Sequence, residues 1–418
     1  MYTTPASNRL HIGIFGRRNA GKSSLINALT GQDLAIVSSC AGTTTDPVYK
    51  AMEILPIGPC VLIDTAGLDD EGELGRERVL KTRRVLRKTD VGLIVMEPGT
   101  RPGKFEEEII AAFGEQGVPF LIVWNKSDLE ENIEDDRLRE ENGRVCVKVS
   151  SVTGAGIEQL KEQIIRLAPR DWAPVPLVKD IVKAGDTVVL VCPIDGAMPQ
   201  GRLILPQVQV LREVLDAGGI AVVVKDSGLT ESLDSLERSP ALVITDSQVF
   251  EEVKDKVPEN VPLTSFSVVF ARHKGDLAEF IKGAGAVKRL QDGDEVLIAE
   301  ACTHHVQPED IGRSKIPSWL REYTGRDLVF DVTAGGEFPE DLSPYSLVIS
   351  CGGCMVTRRE LLARVARAKR QKVPITNYGI IISYMSGILE RVITPFGDRA
   401  REQKNRRRKN ARENTYSG

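Results

Sequence analysis

No apolar run in this sequence approaches the ~20 residues that a bilayer-crossing helix needs, which argues against a membrane span. The first nine residues, Met1 to Arg9, have neither a charged n-region nor an apolar h-region, so a secretory signal is missing and a cytoplasmic location is expected. An overall excess of positive charge is also lacking. A net charge of −4 gives no general attraction to nucleic acid. The exception is the stretch from Asp398 onward, where eight Lys or Arg face three acids without apolar periodicity, as in a solvated, disordered tail. Seven cysteines in a reducing compartment do not suggest a disulfide framework, so any clustering among them calls for chemistry. What is present, 41% hydrophobic and 27% charged residues, belongs to a soluble globular chain. At 418 residues it is too long for one ordinary core, and several domains are expected.

The first 168 residues alternate apolar strands with amphipathic helical stretches: Leu10 to Phe15, Lys22 to Leu29, Val61 to Ile63, Glu77 to Leu86, Val91 to Met96, Phe105 to Phe113 and Pro119 to Trp124. This predicts an α/β domain over 1–168. Pro169, Pro174 and Pro176 then break helical character and mark 169–183 as a linker. A second βα series (184–272) has strands at Thr187 to Cys192, Ile220 to Lys225, Ala241 to Thr245 and Pro262 to Val268, but no phosphate loop. It reads as a docking or dimerisation domain. The third region (273–397) opens with a helix over Asp276 to Leu290, and Thr357 with Glu360 gives a capping-box signature for a helix to about Arg370. The tail fills 398–418. The fold class is therefore α/β, with a phosphate-loop domain followed by two further α/β domains of mainly parallel sheets.

Between a short apolar strand and an apolar helix lies Gly16-x4-Gly21-Lys22-Ser23. The glycines let backbone N–H groups face phosphates, Lys22 brings a point charge, Ser23 offers a hydroxyl to Mg2+, and the helix directs its positive end at the anion. Asn19, Ala20 and Ser24 complete the loop's surroundings. Asp64-Thr-Ala-Gly67 follows a strand, putting a carboxylate near Mg2+ and a glycine hinge where a terminal phosphate is sensed. Asn125-Lys126-Ser-Asp128 also follows a strand. Its Asp128 carboxylate suits the paired donors of guanine, which adenine lacks, so GTP is the expected nucleotide. Ser150 and Ser151 can close the base pocket, and Thr44, with Thr43 and Thr45 as alternatives, occupies the place of a switch threonine that binds Mg2+.

Over roughly 8–168 these residues resemble the TrmE-Era group of GTPases. The resemblance implies GTP hydrolysis with Lys22, Thr44, Asp64 and Gly67 as the working residues. Asn19 matches the loop asparagine through which potassium-activated members help bind K+. Leu68 stands where Ras-like proteins carry a catalytic Gln, and an apolar side chain cannot orient water, so slow turnover stimulated by K+ or a partner is expected. The group usually has Arg at the position of Thr45, and no role is carried over to it.

Cys302-x-His304 and Cys351-x-x-Cys354 supply three thiols and an imidazole. By spacing they suit zinc, an iron-sulfur cluster, a redox dithiol or no ligand at all. Cys302 and Cys351 each follow an apolar strand; if those strands are parallel neighbours, both thiols emerge at the carboxyl edge of one sheet. Cys60, Cys146 and Cys192 read as buried small hydrophobes, Cys40 lies near switch I, and His11 and His273 read as structural. Taken with the nucleotide motifs, the C-T-H-H and C-G-G-C segments resemble the HydF family of FeFe-hydrogenase maturation GTPases over nearly the whole chain. That resemblance implies Cys302, Cys351 and Cys354 as ligands of a 4Fe-4S cluster and a homodimer formed by the middle region. It further implies a transient two-iron precursor assembled with the radical-SAM maturases HydE and HydG, and delivery to apo-FeFe-hydrogenase. The family commonly has His just before Cys-x-x-Cys; here Ser350 stands there, leaving His304 as the in-motif fourth ligand, with its neighbour His305 and nearby Glu300 as alternatives, or an open iron. The competing reading is an RNA-associated TrmE/Era-like GTPase with a structural zinc.

Overall fold

A computed structural model describes residues 5–31, 47–65, 82, 85–129, 138–141, 144–169, 175–194, 203–301, 310–335 and 338–397. Two compact units divide the chain, Met1–Ala173 and Pro174–Gly418. No described helix is long and apolar enough to cross a membrane.

In the first unit, a seven-stranded sheet has the order β2-β3-β1-β4-β5-β7-β6. Its strands are β1 (Leu10–Phe15), β2 (Val48–Ile54), β3 (Gly58–Asp64), β4 (Val91–Met96), β5 (Phe120–Trp124), β6 (Leu138–Glu141) and β7 (Arg144–Lys148). Only the edge strands β2 and β6 run antiparallel to their neighbours. The central strands are apolar at nearly every position because helices cover both faces. Leu10, Ile12 and Ile14 pack against α1 (Lys22–Thr30) and α3 (Ile157–Leu167), while Phe15, Ile63 and Ile94 pack against α2 (Lys104–Gln116). Gly92 makes room on that second face, since a Cβ there would lie 2.3 Å from Phe113. The helix expected over Glu77 to Leu86 falls largely outside the described residues.

The second unit holds two four-stranded sheets, all parallel, in the orders β11-β10-β8-β9 and β13-β12-β14-β15. The first comprises β8 (Thr187–Val191), β9 (Ile220–Val224), β10 (Leu242–Thr245) and β11 (Leu263–Ser265). The second comprises β12 (Glu295–Ala299), β13 (Val329–Thr333), β14 (Tyr345–Ser350) and β15 (Ile375–Asn377). One apolar cluster runs from Val188, Leu190 and Ile244 of the first sheet to Ile298, Leu347 and Ile349 of the second.

Two sequence expectations differ from this. The stretch read as a linker is packed from Leu177 onward, with Leu177, Val178 and Val182 buried in the shared cluster, because their apolar side chains find a core to enter. The run read as a strand to Val268 ends at Ser265, whose hydroxyl accepts from Val268 N and caps the helix α4 (Phe266–Lys274). The apolar run to Val268 suggested a strand, but burial on all sides suits the helix equally well. α4 also runs across position 272, where the sequence suggested a domain boundary.

Candidate functional site

Two places concentrate functional chemistry, one in each unit. In the first, β1 delivers the chain into the loop Gly16–Ser23, and Gly21 in the left-handed region (φ 86°) opens α1. Asn19 also has positive φ (62°) and is exposed on the loop. Gly16 cannot carry a side chain here, because a Cβ would sit 2.3 Å from Val95 O. Lys22, 7% exposed, donates to Gly16 O (2.9 Å) and Arg17 O (2.8 Å), so its ammonium is held inside the curve of the loop. Ser23 Oγ donates to Asp64 Oδ2 at 2.6 Å. Burial raises the Asp64 carboxyl above its ordinary range, against the pull of that hydrogen bond and of Lys22. Its Oδ1 is buried without a hydrogen-bond partner among the described residues. A hydroxyl and a partly unsatisfied carboxylate side by side form a fitting place for Mg2+.

Asn125 unites the two ends of the nucleotide site. Its amide nitrogen donates to Ala20 O (3.2 Å) and Gly21 O (3.3 Å), and its Oδ1 accepts from Ser151 N (3.1 Å) and Ser151 Oγ (2.7 Å). Beside it, Ser150 Oγ donates to the exposed Asp128 at 2.5 Å while accepting from Val152 N and Thr153 N, which fixes the shape of the loop expected to close the base pocket. Lys126, at φ 66°, pairs with Glu97 at 2.5 Å. Ser24 lies half-buried in the first turn of α1. Sequence reasoning missed Glu106, which is 2% exposed and holds the loop's Arg17 through two hydrogen bonds (2.9 and 3.2 Å). A glutamate in the first turn of a helix gave no signal beyond capping. Thr44, Gly67 and Leu68 lie outside the described residues.

The second place is the turn after β14. β12 and β14 are parallel neighbours with Ala299 opposite Ser350, as the sequence required for the thiols to meet at one edge. Cys351 N donates to Ala299 O (3.0 Å), and Cys351 Sγ accepts from Ala301 N (3.1 Å). Gly353, at φ 66°, turns the chain so that Cys354 follows, half-buried like Cys351. Thr357 Oγ1 then accepts from Glu360 N and caps α5 (Arg358–Arg370). The other half of the expected capping box is redirected, since Glu360 binds Arg364 instead (3.2 Å). Cys302, His304 and His305 lie outside the described residues, as does Cys40. Among the described residues no group of three or more His, Cys, Asp or Glu is placed to hold a metal. Cys60, Cys146 and Cys192 are buried beside apolar strands, and burial pushes the Cys60 and Cys192 thiols up to about 12.

Sequence reasoning also missed Lys274. It is fully buried at the end of α4 and donates to Gly353 O (3.3 Å), Cys354 O (2.9 Å) and Val356 O (3.0 Å). Burial brings its ammonium down to about 8, partly offset by Cys354 and Cys351. Burial also raises the Cys354 thiol, and Lys274 opposes that rise.

Next to it, His273 is 4% exposed, and burial lowers it from the usual 6.5 to about 4. The unfolded chain therefore takes up a proton near pH 6.5 that the folded unit refuses until about pH 4. Stability present above pH 6.5 is lost as pH falls through that window, by about 3 kcal/mol at most. Thermal unfolding of this unit followed from pH 7 to pH 4.5 should show a falling midpoint, and a His273→Gln variant should show a smaller fall.

Comparison with known proteins divides the chain in three. Residues 177–275 match the hydrogen maturase F dimerization domain and 278–395 the hydrogen maturase F tetramerization domain, together more than half of the chain. Residues 11–126 match the 50S ribosome-binding GTPase family. Among curated relatives, the tRNA modification GTPase MnmE of Endomicrobium trichonymphae is 36% identical over 166 residues, covering 38% of this chain and 35% of that protein. GTPase Der of Wolinella succinogenes is 34% identical over 173 residues, covering 39% and 36%. The chain thus spans about a third of the length of these relatives. A solved Era structure from Aquifex aeolicus bound to GDP.AlF4− covers 51% of this chain and 92% of its own, at 19% identity and a TM-score of 0.34.

Proposed function

The chain belongs to the hydrogen maturase F family and carries a TrmE-like GTPase domain at its N-terminus, and from that premise we propose a GTP-hydrolysing scaffold that binds a 4Fe-4S cluster. It assembles and delivers the two-iron precursor of an FeFe-hydrogenase active site to the apo-enzyme. The observation that carries this reading is the thiol turn Cys351–Cys354 at the carboxyl edge of a parallel sheet, in a chain whose other unit holds shaped phosphate and base loops.

The residues present fit the groups this reading requires. Mg2+ would be held by Ser23 and Asp64, whose buried Oδ1 lacks a partner among the described residues, together with Thr44. K+ would be held with the help of exposed Asn19. Cys351 and Cys354, with Cys302, would hold the cluster, and Cys351 Sγ already receives one backbone N–H, which favours thiolate charge. When bound, the cluster would supply an iron site open to a precursor ligand, with His304 as the candidate fourth ligand.

On nucleotide entry, Lys22 exchanges the Gly16 and Arg17 carbonyls for phosphate oxygens, and Asp128 receives the guanine donors. Hydrolysis is slow because Leu68 cannot orient water. GTP need not drive the cluster chemistry: nucleotide state biases how the scaffold engages HydE, HydG and the hydrogenase. The working assembly is a homodimer or a higher oligomer, in keeping with the two domain types that span 177–395.

Anaerobic purification and reconstitution test this. The preparation should be brown, with about four iron and four sulfide per chain, and should turn over GTP faster in K+ than in Na+. Full zinc occupancy without sulfide, together with salt-sensitive RNA binding lost on deletion after Asp398, would replace the reading with the RNA-associated one.

A further inference from the structure

Three consecutive basic residues end α4, and all are buried: Arg272 is 6% exposed, His273 4% and Lys274 0%. Burying three such groups together is costly unless each has a built partner. The partners lie in two different places. Arg272 pairs with Asp180 and donates to Leu177 O (3.4 Å), and His273 Nδ1 donates to Val175 O. Those acceptors lie at the very start of this unit, which begins at Pro174. Lys274 instead donates to Gly353, Cys354 and Val356, the carbonyls of the thiol turn. The same helix end is closed by Arg358, the first residue of α5, which donates to His273 O at 2.7 Å. Within three residues, then, one helix terminus grips both the chain entering the unit and the loop carrying Cys351 and Cys354.

We propose that Arg272, His273 and Lys274 form a positioning element that sets the geometry of the Cys351–Cys354 turn and couples it to the segment Val175–Asp180. The proposal rests on the reading of that turn as the cluster site. Lys274 acts through the turn: by drawing three carbonyls toward one point it fixes where the two thiols leave the backbone, and it keeps a positive charge beneath an anionic occupant. Arg272 and His273 make that arrangement depend on the entering segment, which is continuous with the chain leaving the GTPase domain. A pull on Val175–Asp180 is thereby transmitted through a rigid helix terminus to the thiols.

The experiment uses the full chain. Hydrogen exchange is followed on the metal-free protein at the amides of Cys351 and Val356, which donate to Ala299 O and Gly353 O. Both should exchange about ten-fold faster in Lys274→Met, and several-fold faster in Asp180→Asn, which removes the charge that pairs with Arg272 at the far grip. If Lys274→Met does not fold, as judged by circular dichroism, Asp180→Asn still decides the coupling, and unchanged exchange at 351 and 356 in that variant overturns it. After anaerobic reconstitution, Lys274→Gln should retain iron and show a cluster reduction potential shifted to more negative values, because a charge has been removed while a donor remains. A merely structural lysine would leave the potential where it was, and that result would overturn the electrostatic role. The exchange measurement needs no metal, so it still reads the positioning element if the native chain turns out to bind zinc.

Discussion

A Cys351→Ala/Cys354→Ala variant, reconstituted anaerobically beside the native chain, will retain iron and sulfide only at background level while its GTP turnover stays within about two-fold of native. The loss should be complete, because one turn supplies both thiols and a cluster held by three cysteines cannot survive the removal of two. Among the described residues beside the turn, Ser350 is buried and Glu300, 2% exposed, is committed to Arg313 at 2.7 Å. Folding should survive the change, since both cysteines are only half-buried and the turn keeps its Lys274 contacts to backbone carbonyls. EPR of the reduced samples and chemical iron and sulfide analysis read the outcome. Retention of a full cluster in the double variant would remove the thiol turn from the site.

The second large effect lies in the other unit. Lys22→Ala should lower kcat/KM for GTP hydrolysis by about three orders of magnitude, equivalent to about 4 kcal/mol of transition-state stabilisation. Lys22 is buried within the loop with no solvent-facing freedom to be replaced by water, and no other lysine lies in the loop. Its absence also takes one donor from each of the Gly16 and Arg17 carbonyls, Arg17 O keeping its long bond from Ala20 N (3.4 Å), so part of the loss will come from a loosened loop. Iron and sulfide content should not change. A variant that hydrolyses GTP at close to the native rate would show that the phosphate charge is met elsewhere.

The nucleotide site was legible in the sequence because its chemistry needs contiguous residues: a phosphate loop, a strand-end Asp64 and the Asn125-x-x-Asp128 pair are each written in one short stretch. The thiol turn was half legible. That Cys351 would emerge at a sheet edge followed from an apolar strand, and the parallel pairing of β12 with β14 supports it. Lys274 was not legible, because its partners lie 79 to 82 residues further along and no local pattern announces a contact between a helix end and a distant turn. Glu106, 89 residues from Arg17, was hidden for the same reason. The strand expected to Val268 failed on a different ground, since short apolar runs rich in valine satisfy either period and only Ser265 as a cap decides for the helix.

The position of Asn125 has a consequence for how this protein's selectivity can change. One side-chain amide, 1% exposed, fastens the backbone proposed to meet the phosphates to the loop proposed to border the base, and any side chain at Gly21 would collide with it at 2.2 Å. On the proposed reading, charge recognition and base recognition share a single pivot. Drift that reshapes the base pocket to admit another purine must disturb the phosphate grip in the same step, so a new nucleotide preference is reached only through intermediates that hold every nucleotide poorly.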